Sequence, residues 1–460
     1  MSVRVVVIGA GAAGLTAAIR AAESGAHVTL LNAHPKVGLK ILMSGGTRCN
    51  VTHREVSERD YFGGSRHVVA RILRAFTPEQ TRAWLEDELG VALKTEDTGK
   101  LFPVTDDAQT VLDALLATAT RAGVTLESGA RVVRLERAAV GADAGAGGGA
   151  GEGSDSGSER TTCFRIGIQT VRDSAAFDAT PIAAHGEAEW PLPDAEPDRW
   201  IEAERVIVAT GGLSFPRTGS DGVGYALLQA LGHTLEPPVP ALTPLASDDP
   251  IGRALQGMTL DMALTLRVAG KRVHETRGSF LFAHFGYSGP AALDMSRHWL
   301  RAGSAGGAER RVTASFLPDV APDALLAELV DAARSAPQRS LKRQFVPRLP
   351  ERLAERLCEE AGLSGATNVG QVRREERAAL VERITARDLR VTGTLGYEKA
   401  EVTAGGVRLS EVDPSTLESR VVPGLFLCGE VLDVEGRLGG FNFQFAWSSG
   451  TVAGRSAAST

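Results

Sequence analysis

The feature that most constrains this chain is its opening. An apolar run, Val3-Arg4-Val5-Val6-Val7-Ile8, meets Gly9-Ala10-Gly11-Ala12-Ala13-Gly14 and then an alanine-rich stretch. A run this short and apolar predicts a buried parallel strand. Ala12–Ser24 predicts a helix that stops at Gly25, and His27–Leu31 predicts the second strand of a βαβ unit. G-x-G-x-x-G alone says little, but between a strand and a helix each glycine has a task. Gly9 permits the tight turn, Gly11 lets a pyrophosphate approach the backbone, and Gly14 lets helix and strand pack closely. Ala12 and Ala13 lie in the first helical turn, whose free N–H groups and positive dipole end suit phosphates. The pattern points to a bound dinucleotide.

The far end of the chain narrows the choice. Gly424-Leu425-Phe426-Leu427-Cys428-Gly429-Glu430 reads as a strand ending in Gly-Glu, and Gly439-Gly440-Phe441-Asn442-Phe443 opens a last helix over about Asn442–Ser456. A C-terminal segment returning to an N-terminal nucleotide fold is a habit of FAD enzymes. The last helix's N-terminus could stabilise the charge of a reduced flavin, and Glu430 stands where a ribityl-binding acid is expected. Phe441, Phe443, Phe445 and Trp447 read equally as flavin contacts or as core packing.

Three further segments add to the site. Asn32 ends the second strand, where an acid for the ribose hydroxyls is usual; it is either a weaker ribose partner or a turn residue. Ser44-Gly45-Gly46-Thr47-Arg48-Cys49-Asn50 would form a loop of backbone and side-chain donors, preceded by Lys40. With no cysteine partner nearby, Cys49 reads as a small buried thiol. The expected strand Ala203–Ala209 ends in Ala209-Thr210-Gly211-Gly212, a turn near the cofactor or an ordinary strand-to-loop turn. Val132 and Val133, on a strand expected over Arg131–Leu135, complete the cofactor set.

Composition bounds the rest. At 460 residues more than one domain is expected. Asp and Glu number 56 against 50 Lys and Arg, so the net charge of −6 gives no support for a nucleic-acid partner. Cys49, Cys163, Cys358 and Cys428 are too scattered for a metal site or a redox disulfide. Few cysteines, no signal-peptide pattern and no long apolar span lead to the expectation of a soluble cytoplasmic protein with no membrane partner.

Residues 66–90 read as helical, with Thr77, Pro78 and Gln80 forming a start signal, and Val111–Ala122 as another helix. Residues 141–160 are Gly, Ala, Ser and acids, which predicts a flexible insertion. Strand-like alternation over about 240–300 precedes amphipathic helices at Pro322–Ser335, Pro350–Ala361 and Arg374–Ala386. A β-then-α block between two pieces of nucleotide fold reads as an insertion. The expected division is 1–238 and 393–460 for the cofactor domain and 239–392 for the insert.

The runs KILMSGGTRCNVTH, TGGLSFPRTGSDGVGYALLQALGH, LFAHFGYSGPA, KAEVTAGGV and GLFLCGEVLDVEGRLGGFNFQFAWSSG, in this order along nearly the whole chain, resemble the BaiN-like (YhiN-like) NAD(P)/FAD-dependent oxidoreductase family. Its members include aminoacetone oxidase-like enzymes and bile-acid dienone reductases. The resemblance implies an α/β chain: a discontinuous Rossmann-like FAD domain of the two-dinucleotide-binding type, with an inserted β-barrel plus helical domain. It also implies tightly bound FAD, and Asp433 falls within its C-terminal run. Three positions depart from the family pattern. Asn32 replaces an acid, Leu39 a frequent arginine, and Ala283 a frequent threonine.

His284 and Tyr287 lie in the insert's Phe282–Pro290 run. In one reading His284 relays a proton to the flavin region with Tyr287; in the other it bonds a loop of the insert. The leading functional expectation is reduction of an unsaturated or carbonyl-conjugated small molecule. No second nucleotide fingerprint is present in the sequence, so either NAD(P)H binds transiently at the flavin face or the reductant is something else. The alternatives are an aminoketone oxidase using oxygen and a non-catalytic FAD-binding partner module.

Overall fold

A computed structural model describes residues 2–139, 162–177, 189–304 and 309–459. The insertion expected at 141–160 lies outside the described residues. The chain divides into two compact units, Met1–Val239 with Glu401–Thr460, and Pro240–Ala400.

The first unit is built on a five-stranded sheet in the order Leu425–Leu427, Arg205–Val208, Arg4–Ile8, His27–Asn32 and Thr125–Ser128. All its pairings are parallel: Val7 lies opposite both Ile207 and Leu30, and Ile207 opposite Phe426. Val7, Leu30, Ile207 and Leu427 are fully buried, which explains why these strands read as continuous apolar runs. The expected strand Ala203–Ala209 is in fact two pieces. Arg199–Ala203 pairs antiparallel with Thr162–Thr170, and Arg205–Val208 joins the parallel sheet. Glu204 marks the change of partner: its N–H donates to the Arg4 carbonyl at 3.0 Å, and its carboxylate accepts the Arg4 N–H at 2.8 Å.

The first helix, Ala12–Glu23, packs against the last, Phe441–Ala458. Gly450 and Gly454 make this possible. A Cβ on Gly450 would sit 2.5 Å from the Ala13 carbonyl oxygen, and one on Gly454 would overlap the Ala17 carbonyl. Two glycines four apart give the last helix a bare stripe, so the two backbones meet directly. The helical stretch over 66–90 is broken into Arg66–Ala75, Pro78–Ala83 and a wider-coiled turn at Trp84–Glu88. Its start signal forms as read: Thr77 Oγ1 accepts the Gln80 N–H at 3.3 Å, and Gln80 Oε1 accepts the Thr77 N–H at 2.8 Å.

The second unit holds a seven-stranded antiparallel sheet whose edges are Arg387–Asp388 and Val391–Thr394. Only Leu389 and Arg390 separate these edge strands, a span of at most about 11 Å. The sheet therefore curls until its edges approach, as in a barrel. Its inward positions, among them Met262, Leu264, Leu266, Phe280, Phe282 and Tyr287, are fully buried. Helices Pro322–Ser335, Glu351–Glu360 and Arg374–Thr385 add a helical layer on the same apolar cluster. Leu245 pairs with Thr394, so the strand Val391–Thr394 belongs to this unit, which runs to Ala400 rather than to 392.

Candidate cofactor site

The C-terminal ends of the parallel strands gather one group of the residues singled out in the sequence. Gly9 follows Ile8, Ala209–Gly212 follow Val208, Asn32 ends its strand, and Gly429-Glu430 follow Leu427-Cys428. Gly9 has φ +106°, and a Cβ there would run into the Ala209 carbonyl. A Cβ on Gly14 would overlap the Gly9 carbonyl, but one on Gly11 would meet no atom within 4 Å. Two glycines thus close the packing while the third leaves room beside the backbone. Gly11 caps the first helix without a side-chain hydrogen bond, and the first turn carries no acid. This is the cradle that a pyrophosphate requires, and the residues present fit a dinucleotide.

Glu430 is the hub of a second cluster. Its Oε1 accepts from Ser214 Oγ at 2.7 Å and from the Thr403 N–H at 2.9 Å, and its Oε2 pairs with Lys40 Nζ. Lys40 also bonds Ser214 Oγ. Thr403 Oγ1 in turn accepts the N–H groups of Leu213 and Ser214, at 2.7 and 3.1 Å. Gly212 lies against this pair: a Cβ there would be 3.0 Å from Glu430 Oε1. Sequence reasoning found Lys40, Gly212 and Glu430 but missed Ser214 and Thr403. Both lie inside conspicuous runs, but a lone hydroxyl residue carries no signal of its own.

A third cluster surrounds the start of the last helix. Gly440, at φ +93°, caps it; a Cβ there would lie 2.6 Å from the Thr52 backbone and 2.8 Å from Asn50 Oδ1. Asn50 Oδ1 is buried with no hydrogen-bond partner, an acceptor left over beside that helix start. Thr210 Oγ1 is likewise buried and unpartnered. Such orphaned groups are costly unless a ligand completes them. Gly439, at φ +133°, precedes the cap. Asp433 is buried beside Gly63, and its N–H donates to the Val407 carbonyl at 2.8 Å.

Several readings need correction or narrowing. Asn32 is foremost a turn residue. Its amide donates to the carbonyls of His34 and Lys36 at 2.6 and 3.1 Å, and its Oδ1 accepts the Ala10 N–H at 3.3 Å. Both donors are spent on the loop, so only an acceptor lone pair is left for a ribose. Arg48 is not held out for phosphates: it pairs with Glu96 at 2.8 Å and lies over the Phe102 ring at 4.0 Å. Ser44 Oγ is turned to the Ile41 carbonyl at 2.7 Å, while Gly45 and Gly46 are exposed at positive φ. Cys49 is wholly buried, and desolvation pushes its thiol up to about 12, against a smaller opposing pull from Ser44.

Among the aromatics, Phe441 stacks on His53 at 5.0 Å, while Phe445 and Trp447 are buried, so these three pack the core. Phe443 stacks on Trp447 at 5.4 Å and stays partly exposed. Asn442 closes onto Gly436, accepting its N–H at 2.7 Å. Val132 pairs with Ile168, and Val133 is the extra residue of a bulge.

His284 and Tyr287 belong to the second unit, and the structure separates their environments. His284 is exposed at the hairpin tip between Lys271–Ala283 and Gly286–Ser288. Tyr287 is fully buried, and its hydroxyl donates to Asp249 Oδ2 at 3.3 Å. Burial pushes its pKa well above the usual phenol value, helped by Asp249 and opposed by Ser247 and Arg387. Tyr287 is a core residue of the insert, not a proton relay to His284.

A profile of the HI0933-like protein Rossmann domain matches residues 3–144 and 184–456. The chain belongs to this family. It is the family that the sequence runs resemble, and with it come FAD as cofactor and oxidoreduction as chemistry. A ribosomal RNA dihydrouridine synthase of Escherichia coli K12 is 31% identical over 448 residues, covering 96% of this chain and 95% of that protein. A 3-dehydro-bile acid delta(4,6)-reductase of Clostridium scindens is 31% identical over 458 residues, covering 99% of each. A crystal structure of a 3-ketosteroid-delta4-(5alpha)-dehydrogenase from Rhodococcus jostii is similar at 16% identity and a TM-score of 0.44, covering 100% of this chain and 97% of that one. Among the described residues, no helix is long and apolar enough to cross a membrane.

Proposed function

We propose that this protein reduces a carbon–carbon double bond conjugated with a carbonyl group, using electrons from NAD(P)H. The observation that carries the reading is a shared bond type. The named products and substrates of its relatives look unalike, one a nucleoside in RNA and one a bile acid. Yet dihydrouridine is uridine reduced at the double bond conjugated with its C4 carbonyl, and a 3-oxo delta(4,6) steroid is a conjugated dienone. Bound FAD would supply the two-electron carrier between donor and acceptor. The chain's own part is to seat it. Gly9, Gly11 and Gly14 would receive the pyrophosphate, Lys40, Ser214 and Thr403 hold Glu430 in one orientation, and the helix start at Gly440 presents a positive dipole end. Four free, buried cysteines suit a cytoplasmic, reducing setting.

The test is anaerobic. NADH or NADPH should bleach the flavin of the purified protein, and an enone should restore the colour. No bleaching by either donor would overturn the reading. Rapid recolouring by air with peroxide, and none by enones, would favour an aminoketone oxidase.

The acceptor has two readings. The first is a small molecule of the enone or dienone class. The second is a uridine in RNA, and the charge distribution favours it. Residues 240–400 carry 23 Lys and Arg against 19 Asp and Glu, a net +4, whereas the remainder of the chain carries 27 against 37. The overall −6 is therefore the sum of two units of opposite sign and is no argument against a polyanion at the second unit. Mass spectrometry of uridine-containing RNA, incubated with the enzyme and NADPH, separates the two readings by a gain of two hydrogens per product nucleotide.

A further inference from the structure

We propose that one end of the second unit's helical layer, around Arg334, Arg339, Arg343 and Arg374, is a docking surface for the phosphates of RNA. The inference rests on the RNA reading of the acceptor. Its starting point is a run of sequence, 334–352, with six Lys and Arg and the single acid Glu351. The fold gathers more cations there. Helix Pro322–Ser335 carries Arg334 in its last turn, and the segment after it is zipped to 365–370 by backbone bonds. Gly370 N–H donates to Pro337, Val369 to Arg339, Leu341 to Thr367 and Lys342 to Gly365, all within 2.8–3.0 Å. Residues 361–371 contain no charged side chain, and the next helix opens directly after them with Arg373 and Arg374.

Part of this charge is neutralised: Lys342 is held by Glu351 and Glu355, Arg348 by Glu328, and Arg373 by Glu376. Arg339 bonds only the neutral Gln344, at 3.2 Å. Among the described residues, no acid lies within ion-pair distance of Arg334, Arg343 or Arg374, all of which are exposed. The unengaged acids nearby are Asp331 and Glu375. Exposed Gln371 and the paired amides of Gln338 and Asn368, 3.0 Å apart, lie on the same connecting segments. Guanidinium groups without an acidic partner, beside neutral amides, match a phosphate backbone: bidentate donors for the charge and amides for sugar and base edges.

The experiment uses the full-length FAD-loaded protein. Binding of a fluorescein-labelled, uridine-containing RNA hairpin is followed by anisotropy at several salt concentrations, with phosphatidylglycerol vesicles as a second probe. The variant is R334E/R343E/R374E, and R334K/R343K/R374K is its control. The glutamate variant should bind RNA about tenfold or more weakly near 0.1 M salt, with a salt slope shallower by about two to three. The lysine variant should keep most of the affinity. FAD content and NADPH-driven enone reduction should not change in either. Equal RNA affinity in wild type and glutamate variant, no RNA binding by the wild type, or vesicle binding in place of RNA binding would each overturn the surface. Dihydrouridine formation, measured in parallel on wild type at saturating RNA, judges the acceptor reading separately. Charge-dependent binding without that product keeps the surface and removes the uridine reading.

Discussion

Glu430 Oε1 accepts the Thr403 N–H at 2.9 Å, a bond that ties the turn after one strand of the parallel sheet to a strand elsewhere in the first unit. With Lys40 and Ser214 on the same carboxylate, its orientation is fixed from three sides. Glu430→Gln keeps the shape and removes the charge. FAD affinity should fall by about 1.5–3 kcal/mol, roughly ten- to a hundredfold in Kd. Equilibrium dialysis against free flavin measures this, and an unchanged Kd would remove Glu430 from the cofactor site.

The glycines of the opening turn should separate cleanly. Gly14→Ala drives a methyl into the Gly9 carbonyl and should cost at least about 2 kcal/mol of stability. Gly11→Ala meets no protein atom, so the melting temperature of the FAD-free protein should hold while flavin bound per chain drops. If Gly11→Ala retains its flavin, the pyrophosphate does not approach there.

All four cysteines are free and buried. Desolvation pushes the thiols of Cys49 and Cys428 up to about 12, and that of Cys358 to about 11. Thiol titration of the native protein near neutral pH should therefore find almost no fast-reacting group, and four after denaturation. A fast native thiol at Cys49 would reopen a redox role for it.

In the second unit Arg387 pairs with Asp249 at 2.6 Å and with Glu360 at 2.8 Å, and both Arg387 and Asp249 are buried. Burial raises the Asp249 carboxyl, but hydrogen bonds and charge from Arg387 outweigh it and hold it below the ordinary value. The folded pKa is depressed, so its contribution is complete above the unfolded value of about 4 and is lost as pH falls through the folded value. Asp249→Asn leaves Arg387 short of a buried partner and should cost about 3–5 kcal/mol at neutral pH. Its stability should also fall less steeply in acid than the wild type's. Parallel urea melts across acidic pH test both, and identical slopes would mean the pair does not govern acid stability.

Local chemistry explains what was legible in advance. The first βαβ unit, the Thr77 capping box and the three helices of the insert are written in short windows of sequence, and each forms within a few residues of its expected place. What hid were choices made over long range. Strand Val391–Thr394 belongs to the insert because its partner is Leu245–Ser247. Glu204 splits an apolar run because Arg4 lies beside it. Asn32 is absorbed by its loop, and Tyr287, two residues before Gly289-Pro290, is buried with Asp249. No single window contains both halves of the strand pairing, of the Arg4–Glu204 contact or of the Tyr287–Asp249 bond; Asn32 is the local exception, with its partners two and four residues away.

The glycine stripe of the last helix bears on how the protein is made. Cys428 Sγ approaches the Ala13 carbonyl at 4.0 Å across 415 residues, and Gly450 and Gly454 seat on Ala13 and Ala17. During synthesis the first helix emerges long before its permanent cover, and the second unit, contiguous from Pro240 to Ala400, is complete in between. The apolar face of the opening helix must therefore wait, shielded by other means, until nearly the whole chain has left the ribosome. Closure of that seam is a late, long-range event of the slow kind expected for high contact order.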